Sequence, residues 1–379
     1  MKIFAVNFAS LLILLCLGFS LTGLSQTQKE ASFTVSSGDF LDVSVRQGNI
    51  SITTGSGNEV KVLVKNIEEY ELKLLTMEQK SGKVEIKFKG EDSDDFELEL
   101  TIPTEMNLGI STGGGNIAVK GDLKGIVEAS TGGGNITAGN IFGKTAFSTA
   151  GGNISVGDIN GDADLASAGG DMEAGSINGN AEISTAGGNI TVSSVNKLAE
   201  LSTAGGNITI GNVGGKIKAS TAGGNITVGD VYGSAEISTA GGNINLESAG
   251  GEVEASTAAG NINLKNIKGA VEANTAAGNI YAELYPESNM QSELNSAIGN
   301  ITLKLPGSAK VTIIATLSVD VWGDNDDDDL DHIKSDFTPT TVNKRGDKKQ
   351  IEVVYKLNGG GPTIELNAAM GEIEIRKLK

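Results

Sequence analysis

The chain of 379 residues is acidic and rich in glycine: 29 lysines and arginines oppose 47 aspartates and glutamates, the formal net charge is −18, and 53 residues are glycine. An acidic surface repels nucleic acid and anionic membranes, so neither is expected as a partner. The single cysteine excludes a disulfide framework and a cysteine-ligated metal site. With 4% aromatic residues, the sequence also offers few ring platforms for a ligand.

Residues 1–25 have the features of a secretory signal peptide. A charged start at Lys2 precedes the apolar run 8–24, and the small Gly23 and Ser25 suit a peptidase that cleaves after position 25. An uncleaved anchor is the alternative, although the run is short for a span and contains polar residues. Because Cys16 lies in this leader, we expect a mature chain without thiols or a transmembrane segment. Its expected location is the periplasm, the cell surface or the extracellular medium.

Residues 26–105 are predicted to form a β-rich N-terminal cap. Apolar and polar residues alternate in the runs 60–64 and 96–100, which is typical of strands. A single Gly48-Asn49-Ile50 indicates an opening coil. The cap would shield the first edge of the repeats that follow, because an open stack of strands templates end-to-end association.

Residues 106–305 repeat one pattern, Ser-Thr-Ala-Gly-Gly-Asn-Ile, with a period of nearly eighteen residues. We call its asparagine the anchor; the anchors are Asn116, Asn135, Asn153, Asp171, Asn189, Asn207, Asn225, Asn243, Asn261 and Asn279, with a looser copy at Asn300. Each unit carries two short alternating runs separated by glycine-bearing turns, which indicates strands joined by tight corners. A short fixed period indicates identical units stacked along one axis. We therefore predict an all-β fold, a single β-solenoid of about ten 18-residue coils with β-rich caps at both ends.

Two sets of positions are predicted to point into the solenoid. The residue after the anchor is an isoleucine in nearly every coil, as at Ile190, Ile208 and Ile226. Six residues before the anchor, large and small residues exchange between coils, as Leu201 and Ala219 do, and the position eight before the anchor compensates. A constant sum of volumes is what a close-packed lumen requires.

The anchor asparagine has two structural interpretations. It could form a ladder of stacked amides inside the solenoid or at a corner. It could also be a turn residue that tolerates a left-handed backbone. We prefer either role to ligand binding.

Seven residues before the anchors, a column of acidic side chains is predicted to face outward. Its members are Glu128, Asp164, Glu182, Glu200, Glu236, Glu254 and Glu272, interrupted by Ala146 and Lys218. Carboxylates on adjacent coils would lie about 4.7–4.9 Å apart, where like charges repel by about 1 kcal/mol in water. One interpretation is a solvated face that keeps the protein soluble; the other is a stripe that binds Ca²⁺ weakly. No other cofactor is expected.

A second outward column lies two residues after the anchors. It consists of Thr137, Ser155, Thr191, Thr209, Thr227, Asn245 and Asn263. Ladders of hydroxyls and amides on a flat sheet suit contacts with sugars or ice, and ordinary strand-favouring surface is the alternative. The candidate binding faces are therefore represented by Glu182, Glu200, Glu236, Glu254, Glu272, Thr191, Thr209 and Thr227.

Residues 306–379 are predicted to form a C-terminal β cap with an acidic loop. Asp324, Asp326 and Asp328 of that loop are candidate Ca²⁺ ligands, but the glycine and the distal glutamate of an EF-hand loop are missing. The missing residues favour a solvated loop. The segment 371–375, Gly-Glu-Ile-Glu-Ile, indicates a closing coil.

No catalytic residue is predicted. The corners lack the Gly-Gly-x-Gly-x-Asp pattern of calcium-binding β-rolls, because Ile226 and Val228 occupy the corresponding positions. Paired carboxylates suffice for glycoside cleavage, but here the acids form a repeating column rather than a cleft. No insertion builds a pocket over the coils.

The Gly-Asn-Ile coils, the Thr101-Ile102-Pro103 approach to them and the recurrent Gly-x-Ile steps resemble the bacterial putative-adhesin β-strand-repeat family over residues 38–305. The resemblance implies an exported protein of largely unknown function, grouped with adhesin head domains, and it supplies no catalytic residues. We therefore predict a noncatalytic exported adhesin or surface scaffold that presents flat β faces to a cell-surface protein or glycan. A carbohydrate-binding module and a glycan-active β-helix enzyme are the alternatives.

Overall fold

The computed structural model describes residues 27–90, 96–286, 291–318, 329–345 and 350–378. The predicted signal peptide and the loop candidates Asp324, Asp326 and Asp328 lie outside the described residues. The chain divides into two compact units, Met1–Gly170 and Asp171–Lys379, called unit 1 and unit 2 below. In the described residues of both, nearly all the regular secondary structure is β-strand wound into coils, so the prediction of an all-β solenoid is confirmed.

The described part of unit 1 contains sixteen strands and one short 3₁₀ helix, Glu69–Leu74. The strands are β1 (Thr27–Thr34), β2 (Phe40–Val45), β3 (Asn49–Gly55), β4 (Glu59–Ile67), β5 (Leu75–Lys80), β6 (Lys83–Phe88), β7 (Glu97–Pro103), β8 (Asn107–Thr112), β9 (Ile117–Lys120), β10 (Leu123–Lys124), β11 (Val127–Thr131), β12 (Ile136–Ala138), β13 (Ile141–Phe142), β14 (Thr145–Thr149), β15 (Ile154–Val156) and β16 (Ala163–Ser167).

Unit 1 has two principal sheets. Sheet A has the order β1-β4-β7-β3-β9-β12-β15, in which β4 is antiparallel to both of its neighbours and the other pairs are parallel. Sheet B has the order β5-β6-β2-β8-β11-β14-β16, with only β5 antiparallel. Strands β10 and β13 form a small parallel pair. The predicted opening coil is present as β2 and β3, which lie parallel to β8 and β9.

The described part of unit 2 contains twenty-one strands and one short 3₁₀ helix, Asp329–His332. The strands are β17 (Met172–Ile177), β18 (Ala181–Thr185), β19 (Ile190–Val195), β20 (Ala199–Thr203), β21 (Ile208–Val213), β22 (Ile217–Thr221), β23 (Ile226–Val231), β24 (Ala235–Thr239), β25 (Ile244–Ala249), β26 (Val253–Thr257), β27 (Ile262–Ile267), β28 (Val271–Ala277), β29 (Ile280–Leu284), β30 (Ser292–Ile298), β31 (Ile301–Leu305), β32 (Val311–Ser318), β33 (Ile333–Ser335), β34 (Thr341–Arg345), β35 (Gln350–Leu357), β36 (Thr363–Met370) and β37 (Ile373–Lys377).

The strands of unit 2 likewise belong to a sheet A and a sheet B. Sheet A is parallel throughout, in the order β17-β19-β21-β23-β25-β27-β29-β31-β37-β33. Sheet B has the order β18-β20-β22-β24-β26-β28-β30-β36-β32-β35-β34, and only β35 is antiparallel to its neighbours. The coil predicted from residues 371–375 forms as β36 and β37, but it lies between β30-β31 and β32-β33 rather than at the edge. The cap boundaries at residues 105 and 305 stay predictions.

The predicted interior columns are buried and in register. Ile190 pairs with Ile208, and Ile208 pairs with Ile226 on the next coil; all three are fully buried. In sheet B, Leu201 pairs with the smaller Ala219, and both are at most 2% exposed. The exchange of large and small residues therefore fills the space between the two sheets, as close packing requires.

The corner between the two sheets is held by a buried threonine and a glycine. The Thr203 hydroxyl donates a hydrogen bond to the carbonyl oxygen of Gly188 (2.9 Å) and accepts one from the N–H of Gly206 (3.2 Å). A Cβ on Gly206 would lie 2.0 Å from the Gly188 oxygen, so the glycine is required for close approach of adjacent coils. The same arrangement recurs around Thr221, where it includes Gly224. The Thr-Ala-Gly-Gly part of the repeat is therefore a corner motif.

In the part of the chain that the structure describes, no helix has the length and apolar character needed to cross a bilayer.

Candidate functional site

The predicted acidic column is present on the outer face of sheet B in unit 2. Register pairs join Glu182, Glu200, Lys218, Glu236, Glu254 and Glu272 from coil to coil. The column then continues to Glu293 and Glu365, two members that the period did not reveal. The steps to these residues along the chain are 21 and 72 residues, so a search at eighteen-residue intervals misses them.

Charge within the column is partly neutralised by lysines. Lys218 Nζ lies 2.8 Å and Lys216 Nζ 3.2 Å from the carboxylate oxygens of Glu236. Hydrogen bonds from Lys218 and then Lys216 hold the pKa of Glu236 below its ordinary value. The hydrogen bond with Glu236 likewise raises the pKa of Lys218. The break in the acidic pattern at position 218 is therefore an internal counter-charge.

Farther along the column, carboxylates follow one another without a lysine. Glu254, Glu272 and Glu293 lie on successive strands. Side-chain amides beside the column donate to two of them: Asn274 to Glu272 and Asn295 to Glu293, each at 3.0 Å. Among the described residues, no group of three or more histidine, cysteine or acidic side chains is arranged to hold a metal ion. A weak response to Ca²⁺ stays a prediction, to be tested by melting the protein with and without millimolar CaCl₂.

The predicted threonine column is present on the outer face of sheet A in unit 2. Register pairs join Thr191, Thr209, Thr227, Asn245 and Asn263, and the three threonines are exposed. The next outward positions of the threonine coils are Ser193, Gly211 and Gly229. This part of sheet A is therefore a flat, uncharged face of small side chains, which we call the threonine face.

The anchor asparagines form an exposed ladder at the corner. The backbone N–H of Asn225 donates to Oδ1 of Asn207 at 2.8 Å, and Asn225 Nδ2 lies 3.4 Å from the same oxygen. No anchor residue has a positive φ, so the ladder accounts for the asparagines and the left-handed turn does not. Because these hydrogen bonds join adjacent coils, the asparagine side chains stabilise the stack of coils.

Unit 1 carries an open groove of about 560 Å³ on the outer face of sheet B. Asp42, Glu128 and Asp164 line it together with a row of serines. The register places Gly109 between the first two acids and Ala146 between the last two. The small residues on alternate strands therefore make the depression, and the carboxylates lie in one line along a single face.

A further surface was missed by the sequence reasoning. Phe142, the last residue of β13 in unit 1, and Tyr232, which follows β23 in unit 2, both lie seven residues after an anchor. They are 45% and 76% exposed. Tyr285, 36% exposed, occupies the equivalent corner after the shorter strand β29. Although aromatic residues are scarce, these exposed rings share one position of the repeat.

The fold and these surfaces define a class of protein: a β-solenoid repeat protein whose candidate contacts lie on flat faces and corners. Residues 180–316 match the family model described as Toastrack DUF4097. The resemblance predicted from the sequence, to a family of adhesin-type repeat proteins of unknown function, is thereby confirmed for this segment. Among curated proteins, no match to the chain is found.

Several solved structures are similar to the chain. A putative adhesin from Parabacteroides distasonis is 18% identical, with 69% of this chain and 97% of that one covered and a TM-score of 0.30. A putative adhesin from Bacteroides fragilis is 14% identical, with 66% and 99% covered and a TM-score of 0.29. A putative cell adhesion protein from Clostridium sporogenes is 12% identical, with 93% and 100% covered and a TM-score of 0.18. Similarity at this level transfers no residue roles.

Proposed function

We propose that the protein is an exported, noncatalytic adhesin or surface scaffold that binds its partner through flat β faces. The observation that carries the proposal is the threonine face, on which Thr191, Thr209 and Thr227 are in register and exposed, with only small uncharged residues at the next outward positions of their strands. A flat array of small polar groups at the strand spacing of about 4.8 Å offers an extended contact surface. Such a surface suits another surface, either a protein or a glycan, better than a small metabolite.

The arrangement of the acids also supports a noncatalytic role. Glycosidases place two carboxyl groups on opposite sides of the scissile bond. Here Asp42, Glu128 and Asp164 lie in one line on one sheet of unit 1. The acids of unit 2 likewise follow one column. A single column of acids on an open face differs from the paired carboxyl groups that a glycosidase cleft provides.

The proposal is tested by adhesion of beads coated with the full chain to bacterial cells and to epithelial cell layers. The variant Thr191→Glu/Thr209→Glu/Thr227→Glu places three adjacent charges on the threonine face and is expected to abolish adhesion. The matched control Ser202→Glu/Ser220→Glu/Ser238→Glu places three adjacent charges on sheet B, where these serines pair in the same register. Equal adhesion of both variants, or no adhesion of the wild type above albumin-coated beads, contradicts the proposal. Protease treatment of intact cells tests the surface location independently.

A carbohydrate-binding module is the second candidate. The specific observation that favours it is the recurrence of exposed aromatic residues at one corner of the repeat, Phe142 and Tyr232. Exposed aromatic rings with polar neighbours are common contacts for ligands that are partly apolar and partly polar.

A further inference from the structure

We propose that the corner after the sheet A strands of unit 2 is a binding edge for a neutral glycan. This aromatic edge consists of Tyr232, Gly250, Lys268 and Tyr285, with Asp230 and Ser248 beside them. The inference rests on the proposed function, because it names the ligand class of a protein that acts by binding. It concerns the corner rather than the threonine face, so the two are tested by different variants.

Backbone hydrogen bonds place the four residues of the aromatic edge on successive coils. The N–H groups of Tyr232, Gly250, Lys268 and Tyr285 donate to the carbonyl oxygens of Val213, Val231, Ala249 and Ile267 at 2.9, 2.9, 3.0 and 2.7 Å. Each acceptor is the last strand residue one coil earlier, so the corner positions are equivalent. Three strand spacings therefore separate the two tyrosines, or about 14 Å along the edge. That distance matches a short oligosaccharide better than a single sugar.

The ring of Tyr232 has glycine on both neighbouring coils, Gly214 and Gly250. These glycines are required by the corner, since a Cβ would lie 2.2 Å from the Asn196 oxygen at Gly214 and 2.5 Å from the Tyr232 oxygen at Gly250. As a consequence, no side chain at the equivalent positions covers the ring from above or below. Tyr232 is the most exposed large hydrophobic residue in the described part of the chain, at 76%. A flat, open ring can stack on the C–H face of a pyranose.

Hydrogen-bonding groups lie next to the rings. Asp230 and Tyr232 flank the buried Val231, so both point outward. Ser248 occupies the same position on the next coil and donates its hydroxyl to Asp230 Oδ1 at 2.6 Å. A carboxylate and a hydroxyl beside an aromatic ring match the two chemical surfaces of a sugar, its hydroxyl rim and its C–H face. Gly250 and Lys268 separate Tyr232 from Tyr285, so this edge lacks the contiguous apolar core of a typical protein–protein interface.

Charge decides between neutral and polyanionic glycans. The chain has a net charge of −18, and the edge itself contributes one carboxylate, Asp230, and one ammonium group, Lys268. A field of this sign disfavours the approach of a polyanion. The charge of the protein therefore favours a neutral glycan.

Unit 1 carries the same combination independently. Phe142 is 45% exposed at the equivalent position of the repeat, the end of β13. Asn140, two residues earlier, donates from Nδ2 to Asp122 Oδ1 at 3.0 Å, and its own Oδ1 accepts the N–H of Asp158 at 2.9 Å. An exposed ring beside a polar ladder is thus a recurrent property of this corner rather than an accident of one coil.

The test is isothermal titration calorimetry of the full chain with cellohexaose and N-acetylchitohexaose, and with an oligogalacturonate of equal length as the polyanionic comparison. We expect at least one neutral oligosaccharide to bind more tightly than the oligogalacturonate. Tyr232→Ala and Tyr285→Ala are each expected to weaken that binding about fivefold or more, the usual effect of truncating an aromatic contact. Tyr232→Phe keeps the ring and should retain most of the affinity. Tyr70→Ala is the matched control, because Tyr70 is 58% exposed but lies on the 3₁₀ helix of unit 1.

The outcomes separate this inference from the proposed function. If neither neutral oligosaccharide binds, or if Tyr232→Ala and Tyr285→Ala bind it as the wild type does, glycan binding at the aromatic edge is overturned, even where the coated beads still adhere. If a neutral oligosaccharide binds and its binding depends on the tyrosines, but coated beads do not adhere, the adhesin role is contradicted and glycan binding at the aromatic edge is supported. If the tyrosine variants change only the sedimentation behaviour of the chain, the edge contacts a second copy and the inference is overturned. Thermal melts of each variant verify folding.

Discussion

The backbone N–H of Asn225 donates a hydrogen bond to Oδ1 of Asn207, one coil earlier, at 2.8 Å. The N–H of Asn207 in turn donates to Oδ1 of Asn189 at 2.9 Å. At the start of unit 2, Asp171 supplies the accepting oxygen instead, at 2.7 Å from the nitrogen of Asn189. The ladder therefore needs an oxygen acceptor at each anchor, and an amide is one of two side chains that provide it.

Replacing the acceptor should lower stability, and keeping it should not. In Asn207→Ala the N–H of Asn225 loses its partner, and we expect a loss of about 1 kcal/mol, since the site is exposed and water replaces part of the bond. Asn207→Asp retains the acceptor and should cost less. Denaturant titration of both variants measures the difference, and an equal loss in the two would show that the accepted hydrogen bond is not what the anchor contributes.

Adjacent glycines should respond differently to the same substitution. A Cβ on Gly206 would lie 2.0 Å from the backbone oxygen of Gly188, whereas a Cβ on Gly205 would lie 3.5 Å from that of Gly187. Neither glycine has a left-handed φ, so only the contact differs. We expect Gly206→Ala to destabilise the protein by about 3 kcal/mol or more, because backbone atoms cannot yield as side chains do. Gly205→Ala should be tolerated, and thermal melting distinguishes the two.

Two threonines of β14 should respond with opposite sign to replacement by valine. Thr145 is fully buried, and its Oγ1 has no hydrogen-bond partner among the described residues. Thr145→Val removes that unpaired hydroxyl and is expected to stabilise unit 1 by about 1 kcal/mol or more. Thr149 donates to the Gly134 oxygen at 2.8 Å and accepts from the Gly152 N–H at 3.2 Å. Thr149→Val should therefore destabilise unit 1. Denaturant titration measures both effects, and a loss of stability in both variants would contradict the claim that the Thr145 hydroxyl is unpaired.

The ion pair in the acidic column predicts a pH dependence. Hydrogen bonds from Lys218 and Lys216 lower the pKa of Glu236 in the folded protein. A carboxyl group of this kind stabilises the fold above its unfolded pKa, and the stabilisation is lost as the pH falls through the lowered value. Lys218→Gln should therefore have a slightly lower melting temperature than the wild type at neutral pH. The difference between the two melting temperatures should disappear as the pH falls below 4.5, the ordinary pKa of a glutamate.

The control for this experiment is Lys197→Gln, which makes the same change of charge on an exposed lysine outside the column. Its melting temperature should follow that of the wild type more closely at neutral pH. Added salt should also narrow the gap for Lys218→Gln, because exposed ion pairs are screened. A gap that persists at low pH and high salt would indicate lost packing rather than lost charge.

The repeat made the solenoid predictable. Ile190 and Ile208 recur at a fixed interval, and parallel strands in register stack such residues into one buried column. The same argument located Glu182 and Glu200 on the outer face, because side chains alternate along a strand. It failed for Glu365, which enters its column through a coil 72 residues farther along the chain than Glu293.

The corner chemistry was harder to predict. Thr203 is conspicuous in the repeat, yet the oxygen that it contacts belongs to Gly188, fifteen residues earlier on another coil. A periodic pattern shows that a residue recurs without showing what its hydroxyl contacts. Tyr285 was hidden for another reason: β29 ends at Leu284, which pairs with Ile267, so one residue is lost from the interval and the tyrosine no longer follows its anchor at the usual distance.

The rung formed by β36 and β37 has a consequence for how the chain is assembled. It lies between β30-β31 and β32-β33, and the N–H of Glu372 donates to Oδ1 of Asn300, 72 residues earlier. As the polypeptide leaves the ribosome, β32 is made before the segment on which it will rest. The coils therefore cannot form strictly in the order of synthesis here. β36 and β37 must insert between the earlier segments β30-β31 and β32-β33, and this insertion closes a long loop.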